Sequence, residues 1–129
     1  MHIEGKKITI DRSEKSIYEF FTTLNNFELL MPSNTEKFEV DGNSFLFALK
    51  CMPEIRLVLG DCTEYSKVVL GAASSKLSFT LEANISSLSN QVSEVQLEFK
   101  GDFNPMMTMM VKKPLTTFIE TLTENMSKL

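Results

Sequence analysis

Val95-Gln96-Leu97-Glu98-Phe99-Lys100-Gly101-Asp102-Phe103-Asn104-Pro105-Met106-Met107 decides the fold. Val95, Leu97 and Phe99 alternate with Gln96, Glu98 and Lys100, the period of a strand with one wet face. Gly101-Asp102 ends that pattern. Asn104 is a capping side chain and Pro105 fits the first helical position, so a helix starts here. The remaining chain carries an apolar stripe of Met107, Met110, Val111, Leu115, Phe118, Leu122 and Met126. It reads as one helix of about 36 Å at 1.5 Å per residue. Pro114 offers no N–H to the Met110 carbonyl, so a kink is expected there, one that could hold the helix open over a cavity.

Upstream of this junction the period is two back to Thr35. Phe38 and Val40 alternate with charged neighbours, and Asp41-Gly42-Asn43 is a turn signal. Strands are expected over Ser44–Cys51, from Ile55 toward Tyr65, over Lys67–Ala73, and over Leu77–Ile85. Met52-Pro53-Glu54, Ser74-Ser75 and Ser86–Asn90 supply the turns. Short turns between successive strands predict an antiparallel meander. Before Thr35, Lys6–Ile10 reads as a short strand. Ser13 caps a helix whose face is Ile17, Phe20, Phe21 and Leu24, and Asn25-Asn26 breaks it. Phe27, Leu30 and Met31 form a second short helix that Pro32 stops. Helices kept apart from a run of antiparallel strands predict an α+β domain, a curved sheet of about six or seven strands wrapped on one long helix.

The chain has 129 residues with ten Phe, eight Met and no Trp. That length suits one domain over 1–129 with an ordinary core. The net charge of −4 argues against a nucleic-acid partner, whose phosphates need a basic surface. No apolar run approaches the ~20 residues of a membrane span, and the first residues lack a signal-peptide pattern, so a cytoplasmic location without stable membrane insertion is expected. Cys51 and Cys62 form no metal or redox motif and read as buried free thiols. His2, the single histidine, sits near a terminus expected to fray. This leaves no His-based metal site or triad, and no metal or cofactor is expected.

The order of elements resembles the helix-grip fold of the START-like superfamily, also called SRPBCC, and a small uncharacterised bacterial branch of it. That superfamily includes lipid-transfer START domains, the birch-pollen-allergen family, polyketide cyclases and a family associated with carbon monoxide dehydrogenase. The cues are Ile8-Thr9-Ile10-Asp11 followed by Ser13–Phe21, then Asn26–Pro32, Phe38–Gly42 and Gly101–Met107. The likeness runs from Lys6 to Lys128. It implies a hydrophobic cavity between the concave face of the sheet and the long helix, with no shared catalytic motif.

Under that implication the lining is Phe20, Leu24, Phe47, Leu57, Leu59, Phe79, Leu81, Val95, Leu97, Phe99, Met106, Met107, Met110, Val111, Leu115 and Phe118. Met106, Met107, Met109 and Met110 widen the helix stripe, and thioethers adapt to varied apolar partners or irregular packing. Asp61 shares parity with Leu57 and Leu59, which puts it on the apolar face unless Gly60 marks a bulge that turns it to solvent. Tyr65 and Tyr18 offer hydroxyls to a ligand, or pack their rings and send the hydroxyls to water. Arg56 could take a carboxylate, but its parity opposes Leu57 and places it on the convex face. The expected partner is an apolar small molecule or lipid, bound or carried without catalysis. Two other readings stand beside it: a cyclase- or dehydratase-type enzyme, and an interaction module with a filled core in the manner of START-like activators of chaperone ATPases. An acidic surface and edge strands allow a homodimer.

Overall fold

The structure is a computed structural model that describes residues 2–50, 54–72 and 78–129. The expected features at Cys51, Met52-Pro53, Ala73, Ser74-Ser75 and Leu77 lie outside the described residues. Strands β1 (His2–Glu4) and β2 (Ile8–Ile10) precede helix α1 (Glu14–Thr22) and a 3-10 helix (Leu24–Leu30). Then come β3 (Thr35–Asp41), β4 (Ser44–Leu49), β5 (Ile55–Leu59), β6 (Lys67–Ala72), β7 (Ser78–Ser89) and β8 (Val92–Asp102). Helix α2 (Pro105–Met126) closes the chain.

All pairings are antiparallel, in the order β1-β8-β7-β6-β5-β4-β3, with β2 also on β8. This is the helix-grip α+β fold, with eight strands instead of six or seven. The difference lies at the start of the chain. Instead of one strand over Lys6–Ile10, two three-residue strands both lie on β8, pairing His2 with Lys100 and Ile8 with Val95. His2 is therefore held in a ladder and does not fray. β5 stops at Leu59, short of the expected run toward Tyr65, because Gly60 turns away while its N–H still reaches the Val69 carbonyl at 2.7 Å.

Register places one apolar row after another on the concave face. Leu59, Leu70, Leu81, Phe99 and Ile3 are successive cross-strand partners, as are Val40, Phe45, Leu57 and Ala72. The convex face carries charge. Lys67 Nζ lies 3.8 Å from Glu82 Oε2, and Lys100 Nζ bridges Glu82 and Glu98 at 3.7 and 3.6 Å. Arg56 is on this face too, donating to Ser44 Oγ at 2.9 Å. Alternating residues thus sort into a dry and a wet side, as the pleat requires.

Both helix starts are capped as the sequence indicates. Ser13 Oγ accepts from Ser16 N at 3.1 Å, and Asn104 Oδ1 accepts from Met107 N at 2.8 Å. α2 remains helical through Pro114.

The ten Phe form two ring chains. One runs Phe20–Phe21–Phe27–Phe45–Phe47–Phe118, with Phe38 against Phe45, and ties α1, the 3-10 helix, β3, β4 and α2 together. Its last step stacks Phe47 on Phe118 with centroids 5.1 Å apart and planes 9° from parallel. The second chain is Phe79–Phe99–Phe103, where β7 begins and β8 ends.

Candidate functional site

α2 has a gripped half and a free half. From Leu115 onward it buries Leu115, Phe118, Ile119, Leu122, Thr123 and Met126. Gly5 sets how closely this half approaches the sheet. A Cβ there would lie 3.1 Å from the Leu97 carbonyl oxygen, 3.1 Å from Thr123 Oγ1 and 3.2 Å from Ile119 Cγ2. Asn125 Nδ2 adds a bond to the Leu30 carbonyl at 2.8 Å. The first turns bury far less. Met107 and Thr108 are half-buried and Val111 is buried, while Met106, Met109 and Met110 are 74%, 84% and 67% exposed. The expectation that Met106 and Met110 face the sheet is therefore corrected: both lie on the opposite side of the helix from Val111 and Leu115.

Pro114 sits at the junction of the two halves and on the wall of a cleft. The cleft holds about 250 Å³ and is lined by Pro32, Ser33, Asn34, Leu49, Pro114, Thr117, Phe118 and Thr121. Leu49 and Phe118 belong to the buried core, so core side chains form part of the cleft wall. Pro114, Thr117, Phe118 and Thr121 are spaced i, i+3, i+4 and i+7, one face of the helix. None of the lining side chains titrates; the polar ones are hydroxyls and one amide. Two further hollows lie on the outside, of about 290 Å³ and 360 Å³, and charged side chains line both: Glu28, Glu36 and Lys37 in the first, Lys6, Glu120 and Glu124 in the second.

The Phe79–Phe99–Phe103 chain marks the same end of the sheet, on β7 and β8. Phe79 pairs with Gly101, and the ring of Phe103 folds back over that glycine. A Cβ at Gly101 would come within 2.6 Å of Phe103 Cε2, so the missing side chain is what admits the ring.

The remaining expected lining residues are distributed as follows. Leu24, Phe47, Leu57, Phe79, Leu81, Val95, Leu97, Phe99, Val111, Leu115 and Phe118 are buried in one cluster. Phe20, Leu59 and Met107 are half-buried against it. The expected polar contacts are elsewhere. Asp61 and Tyr65 lie in the β5–β6 connection, at the end of the sheet remote from the start of α2. Asp61 is exposed, as a turn at Gly60 requires. Tyr65, with φ of 64°, puts its ring edge-on to Tyr18 with centroids 5.6 Å apart. Burial holds the Tyr18 hydroxyl above its ordinary pKa, and negative charge on Cys62, Glu64 and Tyr65 adds to the effect. Cys62 is a free, half-buried thiol beside this pair.

Among the described residues one grouping could hold a metal. His2 Nε2 lies 3.7 Å from both Glu4 Oε1 and Glu98 Oε2, on the convex face. Sequence position alone suggests fraying at His2; the pairing of β1 with β8 brings it here instead. Lys100 already neutralises Glu98, which opposes a second cation at that carboxylate.

Sequence reasoning missed Ser33, Asn34, Leu49, Thr117 and Thr121. The spacing of Thr117 and Thr121 after Pro114 was the available signal; nothing local marks Ser33 and Asn34.

The sequence matches no protein-family model and no curated protein. Solved structures match over nearly its whole length. A point mutant of norcoclaurine synthase from Thalictrum flavum, in complex with a transition-state analogue, superposes with a TM-score of 0.74 at 10% identity, covering 99% of this chain and 92% of that one. An uncharacterised protein of Bacillus thuringiensis gives 0.67 at 7% identity, covering 99% and 97%. The Aha1 dimer from Colwellia psychrerythraea gives 0.62 at 15% identity, covering 98% and 96%. Likeness at such identities establishes the helix-grip fold of this chain.

Proposed function

We propose that this protein binds or carries a neutral, largely apolar small molecule or lipid between the concave sheet face and α2, without catalysing a reaction on it. The observation that carries the reading is the cleft at Pro114. It opens onto Leu49 and Phe118, offers hydroxyl and amide groups from Ser33, Asn34, Thr117 and Thr121, and has no titratable group in its lining. Such a site suits an apolar body with one uncharged polar end. At about 250 Å³ it is just below the usual range for small-molecule pockets. General acid–base chemistry requires positioned ionisable groups, and Asp61, Tyr65 and Tyr18 lie at the other end of the sheet. Norcoclaurine synthase, a fold neighbour crystallised with dopamine and hydroxybenzaldehyde, holds small aromatic molecules; that supports a ligand-binding use of the fold.

The test is titration with the apolar fluorophore N-phenyl-1-naphthylamine, alongside native mass spectrometry after incubation with a lipid extract. Binding that is lost when Thr117→Trp fills the cleft supports the reading. Thr117 is exposed, so the fold tolerates the larger ring. No bound mass and no fluorescence change, or equal affinity in the variant, would refute it.

A further inference from the structure

The exposed side of α2 is graded along its axis. Met106, Met109 and Met110 crowd the first turns, Lys113 follows on the same line with Lys112 beside it, and Glu120 and Glu124 come last. Three largely exposed methionines on one turn are a patch that water does not favour. They follow Phe103 at the end of the molecule where β8 gives way to α2. Among the described residues Lys112 and Lys113 form no ion pair, whereas Lys67 and Lys100 are engaged with Glu82 and Glu98 on the convex face.

We propose that this end of α2 is a docking surface for an anionic phospholipid bilayer, with the three methionines entering the interface and Lys112 and Lys113 meeting the headgroups. An apolar tip followed by a basic collar is the complement of such a surface, whose acyl chains lie beneath its negative charge. The acidic end of the helix does not cancel this attraction. Glu120 lies about 10 Å along the axis from Lys113 at 1.5 Å per residue. That is more than one screening length at physiological salt, about 8 Å. Within α2 both acidic residues, Glu120 and Glu124, lie on the C-terminal side of Lys112 and Lys113. Attachment is peripheral: no helix among the described residues is long and apolar enough to cross a membrane.

The inference goes beyond ligand binding and stands without it, because none of the five side chains lines the cleft at Pro114. It is tested by co-sedimentation with vesicles of phosphatidylcholine mixed with phosphatidylglycerol, and with vesicles of phosphatidylcholine alone. The chain is expected to bind the first and release in high salt. Lys112→Gln with Lys113→Gln should weaken binding about 25-fold, at about fivefold per lysine. Met106→Ser, Met109→Ser and Met110→Ser together should abolish it, while melting temperature and fluorophore binding stay unchanged. Three results overturn the proposal: no binding of the unaltered chain to anionic vesicles, unchanged binding by both variants, or a dimer that the methionine variant dissociates without any vesicle binding. The last would make the patch a contact between copies. Loss of fluorophore binding with vesicle binding intact would instead sink the cleft reading alone.

Discussion

Replacing Gly5 with alanine should loosen the gripped half of α2. The new Cβ would meet the Leu97 carbonyl oxygen and Thr123 Oγ1 at 3.1 Å and Ile119 Cγ2 at 3.2 Å. One of these is backbone in the β8 ladder, and the other two belong to buried side chains of α2, so the helix has to move by a few tenths of an ångström. Overpacking of this kind costs about 1–3 kcal/mol. Alanine recovers about 0.4–1 kcal/mol by restricting the unfolded chain. Taking the middle of each range, the net loss is about 1.3 kcal/mol, which for a domain this size lowers the melting temperature by about 5 °C. Thermal unfolding followed by circular dichroism measures the shift. Thr123→Ala supplies the control. It removes Oγ1, and with it a bond to the Ile119 carbonyl at 2.8 Å, so it is destabilising alone. Combined with Gly5→Ala it should cost less than the sum, with a coupling of about 0.5–1 kcal/mol. A Gly5→Ala protein as stable as the unaltered chain, or strict additivity in the double variant, would show that Gly5 does not set the helix-to-sheet distance.

Two other perturbations follow from the same packing. Phe118→Ala removes the ring stacked on Phe47 and should cost about 3–5 kcal/mol in urea unfolding; a loss below about 1 kcal/mol would mean that the stack is not part of the core. Tyr18 should titrate above a free phenol in absorbance at 295 nm. Its neutral form is favoured on folding, so its contribution to stability is complete below about pH 10 and is lost as pH rises through the folded value. Tyr18→Phe should flatten that alkaline loss, and an unchanged alkaline profile would count against it.

The sheet was legible from β3 to β8 because each strand alternates and each pair is joined locally, except that β7 runs on to Ser89 through the turn expected at Ser86–Asn90. Leu81 opposite Phe99 and Phe45 opposite Leu57 follow from that alternation alone. β1 was not legible, since three residues are too few to show a period and its partner lies near residue 100. The methionines misled for a different reason. Four of them in five positions spread over about 160° of the helix circumference, from the edge of the buried stripe to the solvent side, so the run alone does not tell which face turns inward. At about 100° per residue, Met106, Met109 and Met110 fall some 110–150° from the centre of the stripe through Val111, Leu115, Phe118 and Leu122. Taking the phase from that stripe separates Met107 from its neighbours. Asp61 and Tyr65 could not be placed because strand parity ends at Gly60, and a connection has no period to extrapolate. The cleft combines Pro32, Ser33 and Asn34 with residues of α2 eighty or more positions later, a proximity that only the packed chain supplies.

The split first strand also has a consequence during synthesis. His2 pairs with Lys100, 98 positions along the chain, and Gly5 donates to Leu97. At about 5–20 residues per second a ribosome needs roughly 5–20 s to cover that distance. Over this interval His2–Ile10 has no sheet to join, while the hairpins from β3 onward can pair as they emerge. When β8 arrives it binds β7 first and exposes an open edge to whatever extended segment is nearest. In a crowded polysome, that edge is where the chain's own beginning competes with the neighbouring chain's.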